Sequence, residues 1–410
     1  MTGSQFITYV TGRSEASTML ALAGFLLGGT NLACRDQGPG PNGVRTRWHV
    51  AQVGSAPGRP AFAGGSVFFA TGDARVVARD VRTGAARWSA SIGSGPATAA
   101  TLVASAGTVV VPVLFETVGL DVATGRRLWT FTAPPDTIDG RNRTAPGGAM
   151  QHKTPAADAT TAYIPAWGAS VSAVDLRTGA VRWVWQPGRM VSDTAAGLFR
   201  SGAEGVTVAG DTVFATVWHF RDRRGVYSSD PILVAISART GAELWRVVLP
   251  HFTSGLSVLG APVVNGSLVI FGGPGGNTFA IDRTTRAVVW EFEADSVQNG
   301  TVIGPALHDG VVYVDSGDEH LVALRATDGR LLWRTHFGGL IDEGLLVTDR
   351  YVYAPRGGEI FIFDRRTGRI VRKLNQPGRT YDSFIASAPA EQNGRIFVNV
   401  KEAAWSFDEP

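Results

Sequence analysis

The sequence predicts an all-β fold: an eight-bladed β-propeller of four-stranded antiparallel blades, the last closed by the N-terminal strand. Three observations predict it. A phrase of the form Asp-x-x-Thr-Gly-x-x-x-Trp recurs along the chain. Its tryptophans are 41, 54, 62, 45 and 43 residues apart, a base period near 43 with two stretched intervals, as in propeller blades. The two ends of the chain carry complementary halves of one more unit.

The phrase is clearest in "ARDVRTGAARW", from Asp80 to Trp88, "GLDVATGRRLW", from Asp121 to Trp129, and "AVDLRTGAVRW", from Asp175 to Trp183. Weaker copies are "AISARTGAELW" ending at Trp245, "AIDRTTRAVVW" with Asp282 and Trp290, and "ALRATDGRLLW" ending at Trp333. A seventh, "IFDRRTGRIVR", keeps Asp364, Thr367 and Gly368 but has Arg372 in the tryptophan position. At the C-terminal end, "RIFVNVKEAAWSFD" reads as the second and third strands of a blade, with Asp408 in the motif position. At the other end, "GVRTRWHV" offers Trp48 without its preceding strands. Joining the two gives the eighth blade and removes the open edge an unclosed ring would expose.

Each part of the phrase has a physical reason. The run before the Asp alternates small and apolar residues, as a strand between packed sheets should. Asp at the strand end can accept hydrogen bonds from amides two residues on, and Gly supplies the positive φ of the hairpin. The Trp lies on the outer strand, where its indole can pack on the neighbouring blade. Burying about 150–250 Å² is worth roughly 4–6 kcal/mol before entropy is subtracted. These residues read as structural.

Tandem units of this form resemble the PQQ-type repeat family of eight-bladed propellers. That family includes quinoprotein alcohol dehydrogenases and the outer-membrane assembly lipoprotein BamB. The resemblance runs from about Trp48 to Asp408 and is specific for architecture, since one scaffold hosts many chemistries.

The first residues read differently. "STMLALAGFLLGGTNLAC" holds an apolar run, Met19 to Leu27, then small residues, then Cys34, the only cysteine in the chain. Residues 1–33 read as a lipoprotein-type signal peptide, with Cys34 as the lipid-attachment residue. Residues 34–43 read as a flexible tether and 44–410 as a single propeller domain. The apolar run is too short to span a bilayer as a helix. The chain would therefore be exported and lipid-anchored in the outer membrane facing the periplasm, or soluble in the periplasm or secreted if not acylated.

Composition fits an exported domain: 44% hydrophobic, 18% charged, 51 Gly and a net charge of +3. No basic run interleaved with aromatics suggests nucleic-acid binding. With one cysteine no intrachain disulfide can form, and the ring reads as monomeric.

Three insertions could do work. One follows Trp129, one follows Trp183, and "HFRDRRGVYSSDP" reads as a loop between the second and third strands of the fourth blade. By topology all three emerge opposite the Thr-Gly turns, from adjacent blades. The residues expected to form a binding face are Arg143, His152, Arg189, Arg200, Trp218, Arg221, Arg223 and Arg224, because loops on a rigid scaffold commonly carry function.

Enzyme chemistry finds less support. A quinoprotein dehydrogenase needs a Ca²⁺ site of oxygen ligands and a carboxylate base, and many also stack a vicinal disulfide on the quinone. No Cys-Cys pair exists here. Asp318 and Glu319 in "SGDEH" read as a solvated hairpin turn, and "GGPGG" from Gly272 to Gly276 as a tight turn. The seven histidines, at 49, 152, 219, 251, 308, 320 and 336, show no metal-ligand spacing. No catalytic residue, metal or cofactor is predicted. The chain reads as a noncatalytic scaffold whose partner, by the resemblance to BamB, would be the β-barrel assembly machinery. An alternative stays open, in which it binds PQQ with Ca²⁺, or another small ligand, as a degenerate quinoprotein oxidoreductase.

Overall fold

The computed structural model describes residues 43–51, 58–93, 101–134, 154–166, 170–186, 199–223, 226–249, 260–273, 276–294, 303–341, 344–375, 387–400 and 403–410. Their strands form eight four-stranded antiparallel sheets arranged in a ring, an eight-bladed propeller. Blade 1 comprises Ala61–Ala63, Ser66–Thr71, Arg75–Asp80 and Ala86–Ser91; blade 2 comprises Val103–Ser105, Thr108–Pro112, Thr117–Asp121 and Arg127–Phe131. Blade 3 follows with Ala156–Ala157, Thr161–Ala166, Ser170–Asp175 and Val181–Trp185. Blade 4 has the long strands Phe199–Ala209, Thr212–Arg223 and Val226–Ser237, then Glu243–Val248. Blade 5 is Val263–Asn265, Leu268–Gly272, Thr278–Asp282 and Val288–Phe292, and blade 6 is Ala306–His308, Val311–Asp315, His320–Arg325 and Leu331–His336. Blade 7 is Leu346–Val347, Tyr351–Arg356, Glu359–Asp364 and Ile370–Asn375. Blade 8 takes three strands from Ala390–Gln392, Arg395–Val400 and Ala403–Asp408; its fourth is Thr46–Ala51. The N-terminal strand thus closes the ring, pairing Trp48 with Ser406 and Val50 with Ala404.

The middle strands are buried on both faces, because each blade is sandwiched between two others. The hydrophobic core is accordingly divided among the joints. One cluster joins blades 1 and 2 through Phe68, Val76, Val109 and Leu120. A comparable cluster fills each of the other seven joints, the last linking blade 8 to blade 1 through Trp48, Phe397, Val67 and Phe69.

The repeated phrase supplies the lock at these joints. Asp80 Oδ1 accepts the amides of Arg82 and Thr83, each at 3.0 Å, and the Thr83 hydroxyl at 3.0 Å. Asp121, Asp175, Asp282 and Asp364 repeat this pattern. The turn glycine then lies flat beneath the indole of the preceding blade: a Cβ on Gly125, at φ +72°, would sit 2.5 Å from the Trp88 ring. The indole also donates to the carbonyl just after the Asp position. Trp88 Nε1 reaches Val122 O at 3.0 Å, Trp129 reaches Leu176 O at 2.7 Å, and Trp48 reaches Val81 O at 3.1 Å. Trp183, Trp290 and Trp333 do the same to blades 4, 6 and 7. Trp245 packs on Phe214 of its own blade, 5.9 Å between ring centres, and the turn it faces has Arg286 at φ +65° in place of Gly.

Candidate functional site

First-to-second and third-to-fourth turns emerge on one face of the disk. Second-to-third turns and blade-to-blade connections emerge on the other. The strand ends that flank the three insertions, at Phe131, Ala156, Trp185, Phe199, Arg223 and Val226, all belong to this second face.

The third insertion is not a loop, which corrects the sequence reading. The second and third strands of blade 4 continue as a ribbon pairing Trp218 with Pro231, Arg221 with Ser228 and Arg223 with Val226. The first strand joins it, pairing Phe199 with Arg221 and Arg200 with Phe220. Part of the second insertion is therefore strand as well. The run from His219 to Tyr227 is mostly charged and carries Gly225, so in sequence it reads as a loop rather than as a strand pattern. Arg200, Trp218, Arg221 and Arg223 thus occupy positions on one three-stranded extension. Arg143, His152, Arg189 and Arg224 lie outside the described residues, as does Cys34.

Blades are tied to one another by side chains that reach the backbone of other blades. Thr216 Oγ1 donates to Gly260 O at 2.9 Å, and Thr207 Oγ1 to Pro262 O at 2.5 Å. Arg59 Nη2 donates to Leu345 O at 2.6 Å, and Asn399 Nδ2 to Ala70 O at 2.7 Å. The connection from blade 6 to blade 7 is held from both sides. Asp315 Oδ2 accepts the Ile341 amide at 2.8 Å, while the Arg356 guanidinium donates to the carbonyls of Phe337 and Gly338. Asp315 is 2% exposed, and burial pushes its carboxyl up to about 6, although the amides of Ile341 and Gly317 pull it down.

Asp318 departs from its reading as a solvated turn residue. Its side chain is 7% exposed and is gripped by Ser316, Arg334 and His320. Burial opposes its charge, yet those three partners outweigh burial and hold the carboxyl below its usual value. Glu319 stays half-exposed against His336, 3.1 Å away. The pair stabilises a hairpin and makes no acid–base couple. A carboxylate closing the apolar strand Val311–Asp315 is the sequence signal for this buried acid.

Ca²⁺ takes six to eight oxygen ligands. Among the described residues, one group of three histidine and carboxylate side chains comes within metal-binding reach: His308, Asp309 and Asp349. It lies on turns between blades 6 and 7, on the face of the Asp-Thr-Gly turns, and offers a nitrogen and two carboxylates. The histidine spacing alone gave no hint of it, because Asp349 comes from the next blade.

A family model described as outer membrane protein assembly factor BamB matches residues 40–221 and 229–408, so nearly the whole ring. The chain is 26% identical over 193 residues to the outer membrane protein assembly factor BamB of Yersinia pestis, covering 43% of this chain and 46% of that protein. It is 21% identical over 201 residues to a tetrathionate hydrolase of Acidithiobacillus ferrooxidans, covering 42% and 39%. The matched stretches thus span less than half of either relative. Among solved structures, a europium-containing methanol dehydrogenase superposes with a TM-score of 0.65 at 12% identity, covering 90% of this chain and 94% of that one; this likeness is one of fold alone.

Proposed function

Because the chain belongs to the family of the outer membrane protein assembly factor BamB, we propose that it is a noncatalytic, periplasm-facing scaffold that binds the β-barrel assembly machinery of the outer membrane. The observation that carries this reading is the family match across both halves of the ring. The asymmetry of the disk supports it. One face is a circle of short turns, most of them closed by their own Asp and Thr, whereas the other bears the three-stranded extension of blade 4. A binding surface on rigid elements holds its geometry better than one on loops alone. Arginines at strand positions on such an extension suit recognition of carboxylates and aromatic rings.

Two measurements test the reading together. Affinity capture of tagged protein from detergent-solubilised envelope should recover β-barrel assembly components in stoichiometric amounts. Addition of PQQ and Ca²⁺ to the purified protein should produce no bound-quinone absorbance. Recovery of no assembly component, or a stoichiometric quinone spectrum, would reject the scaffold role.

A further inference from the structure

On the face away from the blade 4 extension, the first-to-second-strand turns of blades 6 and 7 bring three side chains to one point. His308 ends the first strand of blade 6, and Asp309 follows it at φ +47°. Asp349 stands on the equivalent turn of blade 7, between Leu346–Val347 and Tyr351–Arg356. His308 Nε2 lies 3.0 Å from Asp349 Oδ1 and 3.5 Å from Asp309 Oδ2. One ligand atom from each residue lies within 4.8 Å of the other two.

We propose that these residues form a divalent transition-metal site of the zinc class that fastens blade 6 to blade 7. The spacing suits it: tetrahedral bonds of about 2.0–2.1 Å place ligand atoms roughly 3.3 Å apart. The donor set suits it too, since imidazole with two carboxylates favours zinc-like ions over Ca²⁺ or Mg²⁺, which take oxygen.

These two carboxylates also differ from the turn carboxylates that cap their own turns. Asp158, in the equivalent turn of blade 3, is occupied by the amides of Thr160 and Thr161 and by the Tyr163 hydroxyl. Asp80, Asp121, Asp175, Asp282 and Asp364 are likewise filled by amides of their own turns. Asp309 and Asp349 instead both converge on a single imidazole nitrogen. The imidazole hydrogen-bonds Asp349, while Asp309 stands 3.5 Å from the same nitrogen; both carboxylates face solvent, and an ion between the three would give them a shared partner. Arg365 Nη1, 3.2 Å from Asp309, would give up that contact while its Nε stays on Asp349 O at 2.9 Å. An open groove of about 430 Å³ beside the site, walled in part by Tyr313, Trp333 and Tyr351, leaves room for water to complete the coordination.

The test is a Zn²⁺ titration of the full chain, stripped with chelator, against a chromophoric competitor at neutral pH. One ion should bind per chain with micromolar affinity and raise the unfolding temperature, because it binds only the folded state. Acid should release it, since the ligating imidazole must be unprotonated. His308→Ala and Asp349→Asn should each weaken binding by about tenfold or more. Arg350→Ala, on the same turn but outside the donor set, should leave binding unchanged. Absence of micromolar binding would overturn the proposal. So would binding that survives both ligand substitutions, because the ion would then sit elsewhere.

Discussion

At the scale of single residues, the charge on Asp315 works against the fold above its raised pKa of about 6. A carboxyl that holds its proton more tightly when folded than when unfolded adds stability fully below the unfolded value near 4. That addition is lost as pH rises through 6. The shift corresponds to about 3 kcal/mol. The turn carboxylates act in the opposite sense. Partial burial opposes the charge of Asp80, but Arg87 and the turn amides hold it down to about 2, so its contribution is present above pH 4 and lost in stronger acid. His49, whose imidazole burial holds below its usual value, opposes this over the same window, so in denaturant unfolding stability should rise more as pH falls from 7 to about 5 in the parent than in Asp315→Asn. A rise of unchanged size in the variant would place its origin elsewhere. The indole lock gives a second residue-scale prediction. Gly125 and Gly107 both have positive φ, yet a Cβ at Gly107 meets nothing within 4 Å, whereas at Gly125 it meets the Trp88 ring. Gly107→Ala should lose about 1–2 kcal/mol for its backbone alone, and Gly125→Ala roughly 1–3 kcal/mol more for overpacking. Equal losses would mean that the indole contact is not what demands glycine.

At the scale of elements, the joint between blades 7 and 8 departs from the repeat. Arg372 replaces the tryptophan, and the turn it faces is made of two segments distant in sequence. Asp408 N donates to Arg45 O at 3.0 Å as Asp80 N does to Ala85 O at 2.8 Å, so Val44 stands where Gly84 stands. With no indole above it, this position accepts a buried side chain, and Val44 is 1% exposed. Trp405 enters the same joint from blade 8, packs on Phe407 with ring centres 4.9 Å apart, and donates to Thr46 Oγ1 at 3.3 Å. Arg47 holds Asp408 at 2.7 Å, copying the Arg87–Asp80 pair. Deleting Val44 to Val50 removes the fourth strand of blade 8 and the Trp48 lock on blade 1 together. Unfolding should remain one transition with a midpoint lower by roughly 10 °C or more; an unaltered midpoint would show that the strand does not close the ring. The joints also show what was legible beforehand. Asp, Gly and Trp could be read from the phrase because their roles are local or periodic, and Trp48 with Asp408 gave the closure. The indole-to-carbonyl bond, the Val44 substitution and the His308–Asp349 contact could not, because each pairs residues of different blades. The ribbon of blade 4 reads as loop in sequence because the charged run from Arg221 to Arg224 carries no period-two pattern.

At the scale of the whole molecule, anchoring and binding can be tested separately. If Cys34 carries the lipid, Cys34→Ser should move the protein from the membrane to the soluble fraction without changing its unfolding. Unchanged membrane retention would argue against the anchor. If the ring binds its partner through the face opposite the Asp-Thr-Gly turns, a matched pair of triple substitutions separates the two faces. Partner recovery should be measured for Arg221, Arg223 and Arg224 changed together to Ala, beside Arg82, Arg177 and Arg239 changed together to Ala. The second set lies exposed on the turn face, where lone surface charges add little to stability. With binding through that face, the first triple should lose most of the captured partner at an unfolding temperature close to the parent's, and the second should keep it. Equal loss from both triples, or full recovery with the first, would contradict it.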